Sequence, residues 1–427
     1  MFINDLETSL KDKEDVGISL EQCLLTIILF ADDMVIFSET RKGLQNGLDA
    51  LSSYCSKWGL SVNVSKTKCI AFKRGGRIGA MDRWTYNGEE LETVNQFKYL
   101  GFVFGSSGKF CKGIQALHDV GLKSLFGLKT VFHKYPDMSV DVKLKLFNAI
   151  VLPRITYGCE IWGFCEADKL EKLYLGFLKS LLGVKKNTPT SFIYSELGVY
   201  PLLLIRLERI LKFWLKILNL KESNPVKIIY NTLVKDLEEK ENVTNWAGLL
   251  KHVLNKNGFG NIWIQQHVAN SKRFLYNFNQ RLRDIFLQSN RENINSLSEH
   301  RLYYYLSPTN SIQGYLSIPE KFIRVAIARL RVGSHNFMVE RGRWQRPKVE
   351  YIARLCDECG EIEDSYHVIL ICPRFLKLRK KYLPEYLYKK PSMFLFTQFL
   401  NNAKGNFLRL LGLLCHNIFI EYNAKYL

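Results

Sequence analysis

The chain has 427 residues, more than one ordinary hydrophobic core serves, so we expect about two to four structural units. Lys and Arg number 60 against 41 Asp and Glu, and this net charge of +19 is spread along the whole chain, which favours polyanionic partners. The acidic N-terminal segment excludes a secretory signal, and no run of about eighteen apolar residues exists to span a membrane, so the sequence indicates an intracellular protein.

Residues 23–38 predict two short strands that a pair of carboxylates interrupts. A tight hairpin would hold Asp32 and Asp33 at the rim of a sheet, where adjacent carboxylates suit a hard cation such as Mg²⁺. The alternative is a plain turn, because Asp is a common turn residue. Two-residue turns favour Asn-Gly or Asp-Gly, however, and a structural turn gains nothing from repulsion between two acids. We therefore favour metal binding.

The first 110 residues or so predict a small α+β sheet domain, with further strand-like runs at 62–72 and 97–104. Between the strands, apolar residues recur at the helical spacing, which predicts a helix over 44–58 that packs on one face of the sheet. Its apolar stripe consists of Leu44, Leu48, Leu51, Cys55 and Trp58.

From residue 139 to about residue 220 the periodicity is helical, and Gly183 is expected to end one helix. Residues 235–309 alternate charged helical patches with Asn- and Gly-containing breaks, which indicates a helical connector. Beyond Pro319 we expect a basic helix, a cysteine cluster and a last helix ending near Tyr426. The stripe of the helix before Gly183 consists of Leu170, Leu173, Phe177, Leu178 and Leu181.

Four candidate metal ligands fall within one short window: Cys356, Cys359, His367 and Cys372. The Cys-x2-Cys pair and the ligand types are those of a closed tetrahedral zinc site, so the predicted role is structural. The alternative is a chance cluster of reduced thiols. We favour zinc because Cys-x2-Cys pairs are uncommon and Pro373 supplies a turn after the last ligand.

Basic residues surround this cluster and are interleaved with aromatic rings, the composition of a protein that binds single strands or junctions. A solvated helix face explains part of the same pattern equally well. We interpret His335 as a capping or core histidine. Nucleic-acid contacts are predicted for Arg329, Arg331, Arg343 and Arg346, and the same segment also holds Arg324, Arg341, Lys348, Arg354, Lys377, Arg379, Lys380 and Lys381.

Three motifs carry a resemblance to a known family. Phe30-Ala31-Asp32-Asp33 resembles the signature turn of reverse transcriptases, with Phe-Ala in place of the commoner Tyr-Met or Tyr-Ala. Residues 58–67 resemble the next motif of the polymerase palm, and Phe97-Lys98-Tyr99-Leu100-Gly101 resembles the turn that grips the primer end. Residues 157–162, 181–184 and 196–198 are similar to the helical thumb of non-long-terminal-repeat (LINE-type) elements, whose Cys-Cys-His-Cys motif lies downstream of the thumb.

The resemblance implies an RNA-directed DNA polymerase of the α+β class. It divides the chain into the C-terminal half of a palm with a small antiparallel sheet (1–110), a helical thumb (111–220), a helical connector (221–318) and a basic zinc-binding region with a terminal helix (319–427). The implied partners are an RNA template and a DNA primer or target, and the implied location is the nucleus and cytoplasm.

The resemblance also implies roles for residues. Asp32 would bind both Mg²⁺ (or Mn²⁺) ions of a two-metal nucleotidyl transfer, with Asp33 in support, and Lys66 would donate a proton to the pyrophosphate or neutralise it. A solvated surface charge is the alternative for Lys66, and ordinary strand packing is the alternative for Leu100. Support of the primer terminus is implied for Phe97, Tyr99, Leu100 and Gly101.

Residues 2–6 resemble the end of the palm helix that precedes the acidic hairpin, which implies that the fingers and an upstream catalytic carboxylate are missing here. Two cations about 3.5–4 Å apart need a carboxylate facing Asp32, and no acid before it stands behind an apolar strand. We therefore expect the chain alone to have no polymerase activity, or only what a separately supplied N-terminal part restores. A missing N-terminal polymerase or endonuclease portion is a further expected partner. The alternative function is a catalytically inactive nucleic-acid-binding remnant or host-adopted protein; a protein-docking zinc unit is a weaker third.

Overall fold

A computed structural model of the chain describes residues 5–20, 23–73, 79, 81–240, 244–297, 301–306 and 310–424. Residues 2–4 of the N-terminal motif lie outside these ranges. The chain forms two compact units, each assembled from three stretches. Unit 1 comprises Met1–Leu117, Thr156–Glu166 and Ile205–Asn279, and unit 2 comprises His118–Ile155, Ala167–Leu204 and Gln280–Leu427.

The strands of the described residues are short and belong to unit 1. They are β1 Ile18–Leu20, β2 Cys23–Leu25, β3 Ile27–Phe30, β4 Asp33–Ile36, β5 Lys68–Cys69, β6 Trp84–Tyr86, β7 Glu89–Thr93, β8 Gln96–Tyr99 and β9 Phe102–Gly105. β1-β2, β3-β4 and β8-β9 are antiparallel pairs, while β7 pairs antiparallel with β6 and parallel with β5. The prediction of an α+β fold with small antiparallel sheets is confirmed.

Helices make up most of the remaining described chain. They are α1 Leu6–Lys11, α2 Arg41–Trp58, α3 Cys111–Lys134, α4 Val140–Ile150, α5 Leu152–Ile155, α6 Cys159–Trp162, α7 Asp168–Leu182, α8 Thr190–Leu197, α9 Leu202–Leu218, α10 Pro225–Glu239, α11 Trp246–Lys256, α12 Gly260–Gln265, α13 Ser271–Ser296, α14 Arg301–Tyr305, α15 Lys321–Arg331, α16 Met338–Trp344, α17 Leu376–Tyr382, α18 Glu385–Lys389, α19 Met393–Asn402 and α20 Asn406–Ala424. No helix of the described ranges is both long and apolar enough to cross a bilayer.

The core of unit 1 forms around α2. The Thr40 hydroxyl accepts a hydrogen bond from the Gly43 amide at 2.9 Å and caps the helix, which ends at Gly59 in a left-handed conformation. The predicted helix is therefore confirmed, but Trp58 is 52% exposed and does not extend the buried stripe. The buried core residues include Leu48, Leu51, Tyr54, Cys55, Trp84 and Tyr86.

One predicted strand is wrong over most of its length. Of residues 62–72, Lys68–Cys69 alone is a strand. The Asn63 side chain accepts a hydrogen bond from the Lys66 amide at 3.1 Å, and the Asn63 carbonyl accepts one from the Thr67 amide at 3.0 Å. This asparagine-stabilised turn replaces the extended backbone that the β-branched residues suggested.

In unit 2 the apolar stripe predicted for residues 170–181 is buried along α7, which ends at Gly183 with φ +65°. A second core packs α15 against α20. The two helices approach so closely that a Cβ on Gly412 would stand 2.2 Å from Cγ2 of Ile323, so this position requires glycine. The residues buried in this core include Leu330, Phe337, Ile369, Leu411, Leu414 and Ile418.

Candidate functional site

Asp32 and Asp33 lie at the tip of the β3-β4 hairpin. Phe30 pairs with Asp33, so Ala31 and Asp32 form a two-residue turn. Ala31 has φ +53°, in the left-handed region that Gly and Asn usually occupy. Both acids are exposed, as is 60% of Phe30. The turn thus keeps a strained residue and presents two carboxylates and a ring to solvent, a combination typical of functional sites.

The β8-β9 hairpin belongs to the same compact unit as the acidic tip. Burial raises the pKa of Tyr99, and the negative charge of Asp33 raises it further. The Tyr99 hydroxyl is buried and finds no hydrogen-bond partner among the described residues. Leu100 and Gly101, at φ +44° and +85°, form the turn of this hairpin. The first and third sequence motifs therefore both lie in unit 1.

Tyr157 supports that turn from a separate stretch of unit 1. Its hydroxyl donates a hydrogen bond to the Leu100 carbonyl at 2.7 Å, and its ring lies 3.6 Å from where a Cβ would stand on Gly101. The Trp162 indole in turn donates to the Tyr157 carbonyl at 2.8 Å, and the Arg206 guanidinium stacks over the Trp162 ring at 5.7 Å. Sequence reasoning noticed Tyr157 within a thumb-like motif and missed this contact.

Lys66 stands with its side chain exposed on the turn that Asn63 stabilises, in the same unit as the acidic hairpin. Across the described residues, groups of three or more His, Cys, Asp or Glu ligands are limited to the C-terminal cluster. Among the described residues, therefore, no further acid joins Asp32 and Asp33 to form a larger set of metal ligands. Two divalent cations need more carboxylate ligands than this pair supplies.

The four C-terminal candidate ligands do converge, with all ligand atoms within 4.8 Å of one another. The sulfurs of Cys356 and Cys372 are 3.9 Å apart, and the Cys359 sulfur is 3.1 Å from Nε2 of His367. Sulfurs about 2.3 Å from a tetrahedral zinc are separated by about 3.8 Å, so the sulfur spacing suits such an ion. The cluster can hold a metal ion.

Local structure explains this convergence. The Cys356 amide donates to the Glu361 carbonyl at 2.7 Å, and Gly360 at φ +73° lets the chain reverse between them. His367 begins a π-helical turn, and its amide donates to the Asp364 carboxylate at 2.8 Å. Burial raises the pKa of Cys372 to about 12 and lowers the pKa of His367, so without a metal these groups are neutral at pH 7.

The predicted nucleic-acid role of Arg331 is wrong. Its side chain is 1% exposed and pairs with the fully buried carboxylate of Glu196 at 3.0 Å. The Tyr315 hydroxyl donates to the same carboxylate at 2.6 Å. Arg331 therefore stabilises the interior of unit 2. Of the other three arginines, Arg329 and Arg346 are exposed, whereas Arg343 is half-buried 3.4 Å from the Glu340 carboxylate.

Three further basic residues of this segment are also structural. Arg324, Arg354 and Arg379 are buried and donate to backbone carbonyls, for example from Arg354 to Val339 at 2.8 Å and from Arg379 to Cys372 at 2.6 Å. For these three residues the solvated-face alternative is wrong, because they are buried cations that tie loops together, whereas Lys348, Lys377 and Lys380 are exposed. His335 is a core histidine, as expected, because it is buried and shares a 2.8 Å hydrogen bond with Ser365.

Comparisons with known proteins cover parts of the chain. A family model described as "Reverse transcriptase (RNA-dependent DNA polymerase)" matches residues 1–104, which include both hairpins. The RNA-directed DNA polymerase from mobile element jockey of Drosophila funebris is 26% identical over 153 residues, 34% of this chain and 16% of that protein. A transposon-derived protein of Caenorhabditis elegans is 26% identical over 162 residues, 38% of this chain and 57% of that protein.

A Pol polyprotein from a type-2 retrotransposable element of Drosophila melanogaster is 25% identical over 199 residues, 42% of this chain. The matched part is 17% of that polyprotein. The chain thus spans less than two thirds of the length of each of these relatives.

Proposed function

On the premise that this chain resembles the reverse transcriptases of LINE-type retrotransposons, we propose that it is part of an RNA-directed DNA polymerase. The observation that carries the proposal is the Asp32-Asp33 pair on a strained, exposed two-residue turn. The turn at Leu100 and Gly101, next to Tyr99, accompanies it. Position, residue type and order along the chain all agree with the polymerase motifs.

The proposed chemistry is two-metal nucleotidyl transfer. Asp32 and Asp33 supply the carboxylate oxygens that Mg²⁺ or Mn²⁺ prefers, and bound cations would stabilise the attacking and leaving oxygens. Lys66 protonates or neutralises the departing pyrophosphate. The β8-β9 turn holds the primer terminus through Phe97, Tyr99, Leu100 and Gly101. Because the described residues add no further acid to the pair, an additional carboxylate is required for activity.

We assign a zinc ion to the C-terminal cluster. Three thiolates and one imidazole match the preference of Zn²⁺ and leave no open coordination position, so Cys356, Cys359, His367 and Cys372 hold a structural ion.

In the proposed division, residues 1–110 are palm, 111–220 thumb, 221–318 connector and 319–427 the zinc-binding region. The partners are an RNA template and a DNA primer or target, contacted by residues that include the exposed Arg329 and Arg346. The nucleus and cytoplasm are the proposed locations.

A second candidate function is nucleic-acid binding without catalysis, by a remnant or host-adopted protein. The acid set at the hairpin, which no further acid of the described residues completes, favours this candidate. A net charge of +19 supports binding equally under both candidates.

The test is primer extension on a primed RNA template with Mg²⁺. We expect the purified chain to extend no primer. A longer protein, extended at its N-terminus by coding sequence that supplies a further carboxylate, should extend the primer. Asp32→Asn should abolish that activity, whereas the matched change Asp49→Asn, on the exposed face of α2, should leave it intact. A lengthened protein that binds the primed template but never extends it would reject the polymerase and support the second candidate. Extension by the chain alone would show that the acid set is complete.

A further inference from the structure

A polar cleft of about 330 Å³ lies within unit 2, and its lining includes no residue of the acidic hairpin or of the metal cluster. It is lined by the turn after α7, by Arg329 near the end of α15, by residues 334–336 and by the last turns of α20. Lys185 and Arg329 bring two positive charges to its wall, and the half-buried ring of Phe419 forms an apolar side.

Backbone contacts hold both cations in place. The Arg329 Nε donates to the Gly183 carbonyl at 2.8 Å, which leaves its two terminal amino groups without a partner in the described chain. The Lys185 ammonium donates to the His335 carbonyl at 2.6 Å and to the Asn336 side chain at 2.8 Å, so one of its three N–H bonds has no partner among the residues that the structure describes. The free donors belong to a guanidinium fork and an ammonium.

The two charges repel each other. Partial burial lowers the pKa of Lys185 most, Glu340 acts to raise it, and the positive charge of Arg329 lowers it again. Arg329 is exposed, and the part of its guanidinium that loses water on the cleft wall lowers its pKa as well. Holding two like charges together with partial loss of water is unfavourable, and an anion between them would remove that cost. Two cations with free N–H groups on one cleft wall favour a tetrahedral oxyanion with several acceptor oxygens.

We propose that the Lys185–Arg329 cleft binds a phosphodiester group of a nucleic-acid strand. The assignment of the anion to a strand rests on the proposed function, since a template or primer passing along unit 2 supplies phosphates in series. Arg329 contacts phosphate oxygens through its fork, Lys185 through its ammonium, and Phe419 packs beside the sugar or base. Lys185 is a residue that neither the motifs nor the charge pattern singled out.

The experiment is fluorescence anisotropy with a labelled single-stranded RNA or DNA oligonucleotide, titrated at several salt concentrations. Lys185→Gln and Arg329→Gln should each weaken binding about 3- to 10-fold and reduce the salt slope by about 0.7. Arg329→Lys should retain part of the affinity because it keeps the charge and loses the fork. The matched control is Lys186→Gln, which removes the same charge from an exposed neighbour outside the cleft lining. Melting curves verify that each variant is folded.

Equal losses in Lys186→Gln and the two cleft variants, or no loss in any of them, would overturn the cleft while leaving the proposed function in place. Competition by inorganic phosphate or a nucleoside monophosphate as strong as that by the oligonucleotide would also overturn it, because the site would then accept free phosphate. If the wild-type chain shows no salt-sensitive binding at all, the proposed function fails together with the cleft.

Discussion

Glu196 connects several polar side chains in the interior of unit 2. Its carboxylate is fully buried and receives hydrogen bonds from the Arg331 guanidinium and from the hydroxyls of Tyr303 at 3.2 Å and Tyr315 at 2.6 Å. Burial, and then the charge of Glu196, raises the pKa of both tyrosines. The acid therefore keeps Arg331 paired and both phenols protonated in the buried interior of unit 2.

Glu196→Gln should lower the free energy of unfolding by about 3–5 kcal/mol, because it leaves the Arg331 charge buried without a counter-ion. Urea denaturation at pH 7 measures this loss. The control is Glu320→Gln, which breaks the surface pair with Arg409 and should cost less than about 1 kcal/mol. If both variants lose the same free energy of unfolding, the buried Glu196–Arg331 pair contributes no more to stability than the surface Glu320–Arg409 pair.

The arginines illustrate why residue-level function is hard to infer from composition. Arg329 and Arg331 are two residues apart on α15, yet one is exposed and the other is buried. On a helix this separation turns side chains to different faces, and the packing of the helix decides which face meets solvent. The charge pattern predicted both arginines as nucleic-acid contacts, but only the exposed Arg329 can reach a nucleic acid.

At the scale of elements, the left-handed conformation of Ala31 should lower the stability of the β3-β4 hairpin. Ala31→Gly removes the strain of a left-handed alanine and should raise the free energy of unfolding by about 0.5–1 kcal/mol. The same substitution at Ala50, within α2, should lower it by about 1 kcal/mol, because glycine is unfavourable inside a helix. Urea denaturation of both variants gives the two signs. A loss at position 31 would show that the turn carries no strain.

The metal cluster should behave as one folding element. Cys359→Ser should remove most of the bound metal and lower the melting temperature, because four ligands share one ion. Metal content by mass spectrometry and thermal melting with and without a chelator measure both effects. Cys111→Ser, at an exposed cysteine of α3, is the control and should change neither. Full metal content in Cys359→Ser would reject the assigned ligand set.

At the scale of the whole molecule, Lys143 should shape the dependence of stability on pH. It is buried against the Phe132 ring, and its ammonium donates to the Pro136 carbonyl at 3.2 Å. Burial lowers its pKa from 10.5 to about 8, and the nearby charges of Arg324 and Lys321 add to this, while Asp137 opposes it. Between about pH 8 and pH 10.5 the unfolded chain therefore holds a proton that the folded chain has lost.

The free energy of unfolding should consequently gain a rising contribution between about pH 8 and pH 10.5, and the penalty of charging Lys143 should be fully present below that range. Lys143→Met should remove this rise and stabilise the protein at pH 7. Urea midpoints measured from pH 7 to pH 10.5 test it, with Lys145→Met, at an exposed position, as the control. A wild-type slope that persists in Lys143→Met would assign the rise to other groups.

The sequence by itself determined the local features: the acidic hairpin, α2 and α7, and the spacing of the cysteine cluster. It also predicted the resemblance to LINE-type reverse transcriptases, which the comparisons confirm. These features depend on periodicity and on short loops, so neighbouring residues are sufficient to specify them. The strand predicted at 62–72 was wrong because the Asn63 side chain accepts a hydrogen bond from the Lys66 amide and stabilises a turn there.

Only the tertiary structure decided which polar groups meet across long stretches of chain. Tyr157 reaches the Leu100 carbonyl 57 residues away, and Arg331 pairs with Glu196 over 135 residues. The placing of Lys185 beside Arg329 is of the same kind. Such contacts depend on which helix faces become buried, and burial reverses the role of a charge from a surface contact to an internal pair. Composition records the charge, and folding determines what the charge does.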